Sequence, residues 1–344
     1  MLNDWARWLL RPFAPFYRLG LYIRERQILA GGETIDRLAW PVVSIGNLSV
    51  GGAGKTPLAI ALARALRRRG RHVDVLSRGY GRKTRGALRI DPAGAADDFG
   101  DEPLEIARAA GVPVYVAGQR LDAGRLAERE ALDLPAGIHL LDDGFQHRQL
   151  HRDVDIVLLN RADWHGRLLP IGDLREPVRA LRRAHILAIP ADDPEFAAEL
   201  RAHDWPQPFW LLRRRMEVPR VAGPVVAFCG IARPEQFFAG VEAAGLRIAS
   251  RVAFRDHHRY LRHDLDCLLD AARSVGAATL LTTEKDRVRL GALAAAIPAS
   301  LALRTARLHI EIQDEAAAID WLLGRLQKSG LPPAVPRAIA EPRT

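Results

Sequence analysis

The sequence predicts an α/β protein: a doubly wound, mostly parallel sheet, with a smaller second α/β domain joined to it by a two-stranded connector. Three observations predict it. Short apolar, β-branched runs recur along the chain and alternate with stretches of helical periodicity, the pattern of strands buried between two layers of helices. A proline-rich, acidic interruption divides that alternation into two series. Two longer runs of alternating polarity flank the second series.

Residues 40–45 are the first apolar run; they lead into a glycine-rich loop, after which 57–69 read as an amphipathic helix. Residues 73–76, 112–117 and 138–141 are the next strands, the last ending in Asp142-Asp143, and 154–159 and 185–189 follow. The stretch 190–195 and the sequence Trp205-Pro206-Gln207-Pro208 mark a change of domain, and strands resume at 225–228, 246–254 and 279–282. Residues 209–218 and 301–312 are extended and pair as the connector through which the chain leaves and returns. The division is then 1–26, an N-terminal helical region; 27–205, the first domain; 206–218 and 300–312, connector strands; 219–299, the smaller domain; 313–327, a C-terminal helix; and 328–344, a proline-punctuated tail that reads as disordered.

A chain of 344 residues can bury two cores, and its 48% apolar and 26% charged content excludes collagen, coiled coil and wholesale disorder. Cys229 and Cys267 are far apart in apolar surroundings, with no Cys/His cluster beside them. They read as two buried free thiols in a reducing compartment, which excludes a zinc finger or a disulfide framework. The formal charge of +9 favours an acidic partner, although the arginine runs at 67–69 and 213–215 each read as solvated faces.

Near the N-terminus, Leu2, Trp5, Trp8 and Leu9 fall on one helical face with arginines between the apolar residues. Arg7 and Arg11 interrupt any signal-peptide core, and no apolar stretch approaches the roughly 18 residues that span a bilayer. Two readings stand: a helix lying in a membrane interface, or one packed on its own domain.

The strongest motif is Ser49-Val50-Gly51-Gly52-Ala53-Gly54-Lys55-Thr56, set between a buried strand and a helix. Glycines let successive N–H groups converge on phosphate oxygens, and the helix N-terminus adds its positive end. Lys55 reaches the β/γ-phosphates and Thr56 ligates Mg²⁺, so the fold is P-loop NTPase-like and the cofactors are ATP and Mg²⁺. Ser49 stands where the general pattern has glycine. Such a loop needs a carboxylate at a neighbouring strand end, and Asp142-Asp143-Gly144 supplies it, with Gln146 and His147 close behind. Asp101 and Glu102, in Gly100-Asp101-Glu102-Pro103, precede a helical pattern from Leu104. They read either as caps or as the base that phosphoryl transfer needs.

Taken together, residues 44–57 (SIGNLSVGGAGKTP), 76–82 (LSRGYGR), 100–103 (GDEP), 141–147 (LDDGFQH), 174–177 (LREP), Asp256-His257-His258 and 283–286 (TEKD) resemble the tetraacyldisaccharide 4′-kinases, the lipid A 4′-kinases of Gram-negative bacteria. The resemblance covers nearly the whole chain, and Ser49 agrees with it. It implies ATP-dependent phosphorylation of the 4′-hydroxyl of an anionic acylated glucosamine disaccharide 1-phosphate, by a monotopic enzyme on the cytoplasmic face of the inner membrane; a monomer is expected. It implies Asp101 as base, steadied by His257, with Lys55 at the phosphates and Thr56, Glu102, Asp142 and Asp143 near the metal. Arg78, Arg120, Gln146, His147, Arg175 and Glu176 would line the lipid headgroup site. The role of 283–286 stays open, nucleotide contact being one reading. The acyl chains of such a substrate favour the membrane reading of the N-terminal helix.

Three rival functions fit less well. Asn160-Arg161-Ala162-Asp163 looks like a guanine-reading element, but the DxxG spacing of GTPases is absent. A partitioning ATPase carries a lysine where this chain has Val50. A nucleic-acid module would interleave aromatics on a basic face, and none do.

Overall fold

The computed structural model describes residues 10–30, 32, 34–51, 54–203 and 205–330. The apolar face at Leu2, Trp5, Trp8 and Leu9, the loop residues Gly52 and Ala53, and the tail at 331–344 lie outside the described residues. The strands are β1 (Val42–Asn47), β2 (Val73–Ser77), β3 (Leu88–Arg89), β4 (Val114–Val116), β5 (Ile138–Asp142), β6 (Val154–Leu158), β7 (Ile186–Pro190), β8 (Phe209–Glu217), β9 (Val225–Cys229), β10 (Ile248–Ala253), β11 (Thr279–Thr283) and β12 (Ala302–Ile312). They join in the order β10-β9-β11-β12-β8-β7-β6-β1-β5-β2-β4-β3. Neighbours are parallel except β8 with β12 and β3 with β4.

The helices are α1 (Ala14–Leu29), α2 (Lys55–Arg68), α3 (Ala96–Phe99), α4 (Asp101–Ala110), α5 (Arg120–Glu130), α6 (Arg161–Trp164), α7 (Pro194–Ala202), α8 (Pro234–Ala243), α9 (Arg262–Val275), α10 (Glu284–Leu290) and α11 (Glu315–Lys328). They cover both faces of the sheet. Leu58, Leu62, Ile106 and Leu322 pack in one core, and Phe145, Leu181 and Phe196 in another. Beyond β12 the same doubling recurs, with Phe237 and Val241 in one cluster and Leu268 and Leu280 in another. Central strands are buried at every position, as helices on both faces require.

Two long strands tie the two series together. The first half of β12 pairs with β11, from Ala302 to Ala306, and its second half pairs with β8, from Arg307 to Ile312. β8 in turn pairs with β7 through Phe209 to Leu212.

Local differences from the sequence reading have simple causes. α2 and α4 begin two or three residues earlier than expected, at Lys55 and Asp101, ahead of Pro57 and Pro103. A proline in the first turn costs no hydrogen bond, because N–H groups there have no intrahelical acceptor. Asp101 and Glu102 are therefore inside the helix rather than ahead of it. The edge strand β3 is two residues long, too short to show a period. Cys229 is buried, but Cys267 is exposed: α9 turns Leu265 and Leu268 inward, and Cys267 lies off that stripe.

Gly46 shows how closely β1 is approached. A Cβ there would lie 2.5 Å from the Phe145 Cβ and 2.9 Å from its backbone nitrogen. No helix among the described residues is long and apolar enough to cross a membrane. The α1 region exposes Phe13, Phe16, Leu19, Tyr22 and Ile23. It is held to the body by polar contacts: the Tyr17 hydroxyl donates to the Arg175 carbonyl (2.9 Å) and Arg24 to the Gln146 carbonyl (3.1 Å).

Beneath the sheet, His139 on β5 is fully buried between Asp74 (Nδ1 to Oδ1, 2.7 Å) and Glu128 (Nε2 to Oε1, 3.3 Å), with Trp40 stacked on its ring. Burial opposes its charge, but the two carboxylates outweigh burial and push the imidazole up to about 9. A folded-state value above the unfolded one stabilises the fold at low pH. That contribution is complete below about 6.5, the unfolded value, and is lost as pH rises through about 9. Unfolding free energy should fall across that window by on the order of 3 kcal/mol. Denaturant titrations at several pH values should find the slope flattened in His139→Gln; an unchanged slope would rule the triad out as its source.

Candidate active site

β1 delivers the chain to the phosphate-binding loop at the centre of the sheet, with β5 on one side and β6 on the other. This is the crevice at the carboxyl ends of strands where open α/β sheets bind ligands. Ser49 and Val50 hold the loop to its neighbours. The Ser49 Oγ accepts from Asn47 Nδ2 (3.0 Å) and is hydrogen-bonded with Asp163, while the Val50 N–H donates to the Asp173 carbonyl (2.8 Å). Gly51 and Gly54 have φ of 104° and 91°, the left-handed region that only glycine enters freely. Thr56 is buried in the first turn of α2.

Lys55 lies against Asn47 Oδ1 (2.9 Å) and Asp143 Oδ1 (3.3 Å). Arg175 closes the same group: it forks onto Asp143 at 2.9 and 3.1 Å and reaches Asn47 Oδ1 at 2.7 Å. Burial raises the Asp143 carboxyl, but Lys55 and Arg175 outweigh it and leave it below the usual carboxylate range. Its neighbour goes the other way. Asp142 ends β5 directly beside Ile45 of β1, and burial, then the charges of Glu102 and Asp143, push it up to about 7. Asp142 Oδ1 is buried with no hydrogen-bond partner.

That orphaned oxygen, repelled by two other acids, suits a divalent cation. Among the described residues no cluster of three or more His, Cys, Asp or Glu could hold a metal by itself. A P-loop cation needs fewer, because the hydroxyl, the phosphates and water complete its shell.

Asp101 and Glu102 begin α4, each met by a cation from α10, and the charge of Glu102 reaches Asp142. Lys285 Nζ lies 2.6 Å from Glu102 Oε1, and Arg289 Nε 2.7 Å from Asp101 Oδ2. His257 brings Nδ1 to 3.4 Å from the same Asp101 oxygen and 3.1 Å from Arg289 Nη2. Burial raises Asp101, but the His257 hydrogen bond and the Arg289 charge overcome it and hold the carboxyl well below the usual range. In return that hydrogen bond raises His257. Segment 283–286 thus has a structural part: Thr283 caps α10 through the Asp286 N–H, Lys285 meets Glu102, and fully buried Asp286 lies 3.3 Å from Arg289.

Arg78, Arg120 and His147 come together beside Asp142 and Asp143. Arg120 is buried, its Nε lacks a hydrogen-bond partner, and burial lowers its guanidinium; both aspartates oppose that shift. Burial, then the charges of Arg120, Arg152, Arg78 and Arg24, lower His147 to about 4. Gln146 Nε2 donates to the Asn47 carbonyl (2.9 Å), with Glu176 at 3.4 Å, and Glu176 takes two bonds from Arg183. Arg175 and Glu176 thus adjoin the loop strand at Asn47, directly and through Gln146, and Asp143, which Arg175 forks, also acts on Arg120. Asn160 bonds to its own helix at Asp163, which is turned to Ser49, so neither resembles a base reader.

Sequence reasoning missed Asn47 and Arg289. A buried Asn closing an apolar strand was a weak signal for the first. Arg289, one of many arginines, offered none.

A family model described as tetraacyldisaccharide-1-P 4′-kinase matches residues 6–327. The tetraacyldisaccharide 4′-kinase of Koribacter versatilis is 38% identical over 330 residues, 93% of this chain and 99% of its own length. That of Anaeromyxobacter dehalogenans is 42% identical over 343 residues, 92% and 89% of the two chains. Among solved structures, the "apo" form of LpxK from Aquifex aeolicus in complex with ATP superposes with a TM-score of 0.73 at 28% identity, covering 93% of this chain and 99% of that one.

Asp142 should weaken the ligand-free fold. Because its carboxyl is raised, ionisation is penalised on folding, and stability is lost as pH climbs from about 4 towards about 7. Asp142→Asn should therefore melt higher than wild type at pH 8 without ligand, yet gain less from added Mg²⁺ and nucleotide. A lower ligand-free melting point for the variant would contradict the assignment.

Proposed function

This chain belongs to the tetraacyldisaccharide-1-P 4′-kinase family, and we propose that it transfers the γ-phosphoryl group of ATP to the 4′-hydroxyl of a tetraacylated glucosamine disaccharide 1-phosphate, giving lipid IVA for lipid A. The observation that carries the reading is the meeting of two walls at Asp142, which feels Lys55 and Asp143 from one and Glu102 and Lys285 from the other. On one, Lys55 rests on Asp143 at the mouth of the phosphate-binding loop; on the other, Asp101 is fixed between His257 and Arg289.

Lys55 is held near the loop by two acceptors and needs only to exchange Asp143 for phosphate oxygens. Gly51 and Gly54 open the backbone for the triphosphate, while Ser49 and Val50 keep the loop's first turn in place. Thr56 and Asp142, with Glu102 and Asp143 beside them, are the residues that would hold Mg²⁺. When bound, the ion neutralises the triphosphate and draws charge onto the leaving group. Asp101 accepts the proton of the 4′-hydroxyl as its oxygen bonds to phosphorus and ADP departs. Arg78, Arg120 and His147 form a cationic and donor-rich patch suited to an anionic sugar headgroup.

The acyl chains keep such an acceptor in the membrane, and the exposed apolar residues of the α1 region support contact with an interface. α1 abuts the headgroup residues through Arg24. Supply of ATP puts the enzyme on the cytoplasmic face of the inner membrane.

Incubation with ATP, Mg²⁺ and the disaccharide 1-phosphate should yield a bis-phosphorylated lipid, seen by mass spectrometry; no such product would overturn the reading. Lys55→Ala or Asp101→Ala should each lower turnover about 10²-fold or more, roughly 3 kcal/mol of transition-state stabilisation. Near-normal turnover in Asp101→Ala would remove the base assignment. Replacing Phe16, Leu19 and Ile23 together by Ser should reduce co-sedimentation with anionic lipid vesicles while leaving ATP affinity unchanged, and undiminished sedimentation would exclude α1 as the contact.

A further inference from the structure

Most arginines of this chain lie at the surface, but the Arg289 side chain is only 7% exposed. Its guanidinium uses several donors at once. Nε and Nη2 donate to Asp101 Oδ2 at 2.7 and 2.5 Å and Nη1 to the Gly230 carbonyl at 2.6 Å and to Asp286 Oδ1 at 3.3 Å, while His257 Nδ1, which donates to the same Asp101 oxygen, lies 3.1 Å from Nη2. Each partner comes from a different part of the chain. Asp101 starts α4, Gly230 follows β9, His257 follows β10, and Asp286 is one turn earlier on α10.

The Gly230 contact extends to the phosphate-binding loop. Two residues on, the Ala232 Cβ is 3.5 Å from where a Cβ on Gly51 would stand. Gly230 itself is closely packed, since a Cβ there would meet His258 Cβ at 3.0 Å and Asp286 Oδ1 at 3.2 Å. One planar fork therefore joins the acid on one wall, the histidine that faces it, and the segment lying against the loop on the other wall.

We propose that Arg289 is a positioning residue for phosphoryl transfer, holding Asp101 and His257 in a single arrangement and registering them against the phosphate-binding loop through the Gly230 carbonyl. The proposal rests on the reading of Asp101 as the group that accepts the hydroxyl proton. Geometry rather than charge makes the difference. A lysine at 289 would keep the positive charge, but its point donor cannot serve Asp101, Gly230 and Asp286 together. The acid would then be neutralised without being aimed, and small errors of placement are costly in transfer reactions.

The test compares Arg289→Gln and Arg289→Lys with wild type, Asp101→Asn and the double variant Asp101→Asn/Arg289→Gln. Melting temperature and calorimetric ATP affinity establish that each variant is folded and binds nucleotide. Arg289→Gln should lower kcat about tenfold or more while KM for ATP changes by less than about threefold. Arg289→Lys should recover only a minor part of the lost kcat. In the double variant, the second substitution should slow Asp101→Asn no further, because both act through one group. Wild-type kcat in Arg289→Lys would overturn the proposal, and it decides the matter if Arg289→Gln does not fold. So would a full additional loss in the double variant. Wild-type turnover of the disaccharide is measured first, so failure of the functional reading and failure of this inference are separate results.

Discussion

Two adjacent aspartates at the end of a buried strand cannot both keep their charge cheaply. Asp142 and Asp143 close β5 beside the strand that feeds the phosphate-binding loop, and the surroundings divide them. Lys55 and Arg175 gather on Asp143 and keep it ionised, while Asp142 is left with burial and the repulsion of Glu102 and Asp143. The result is an imbalance, one carboxylate paired with two cations and one left with an unpartnered Oδ1, and the roles proposed for Lys55 and Asp142 rest on it. The rest of the site is arranged around that pair.

The second series of strands completes the other wall. Its contribution to the acids of α4 is mainly cationic: Lys285 for Glu102, Arg289 and His257 for Asp101. Neither wall is complete without the other, because buried carboxylates unpaired in this way would be driven toward protonation. β8 and β12, hydrogen-bonded to each other, join the two series in one sheet and so form the frame between them. The net charge of +9 also finds a partial explanation. Burial, and after it the charges of Arg120, Arg152, Arg78 and Arg24, oppose protonation of His147, and such a concentration of cations favours an anionic partner.

Much of this was legible in the chain. Apolar runs marked the strands because a residue buried on both faces must be apolar wherever it stands. The loop was legible because Gly51, Gly54, Lys55 and Thr56 meet a local requirement for backbone freedom, a lysine and a hydroxyl. Misreadings were local too. Helix starts were placed after Pro57 and Pro103 because proline reads as a boundary, although the first turn tolerates it. Cys267 was read as buried from its apolar neighbours, whereas α9 turns it outward.

What the sequence by itself determined was therefore whatever depends on neighbours within a few positions: strand burial, the curled loop, the acidic strand end. The tertiary structure alone decided the pairings. Arg289 and Asp101 are 188 residues apart, Lys285 and Glu102 183, Arg175 and Asn47 128. No spacing rule spans such distances. These side chains meet because sheet order and the β8–β12 frame bring strand ends together, and charge chooses partners only among groups the backbone has already made neighbours.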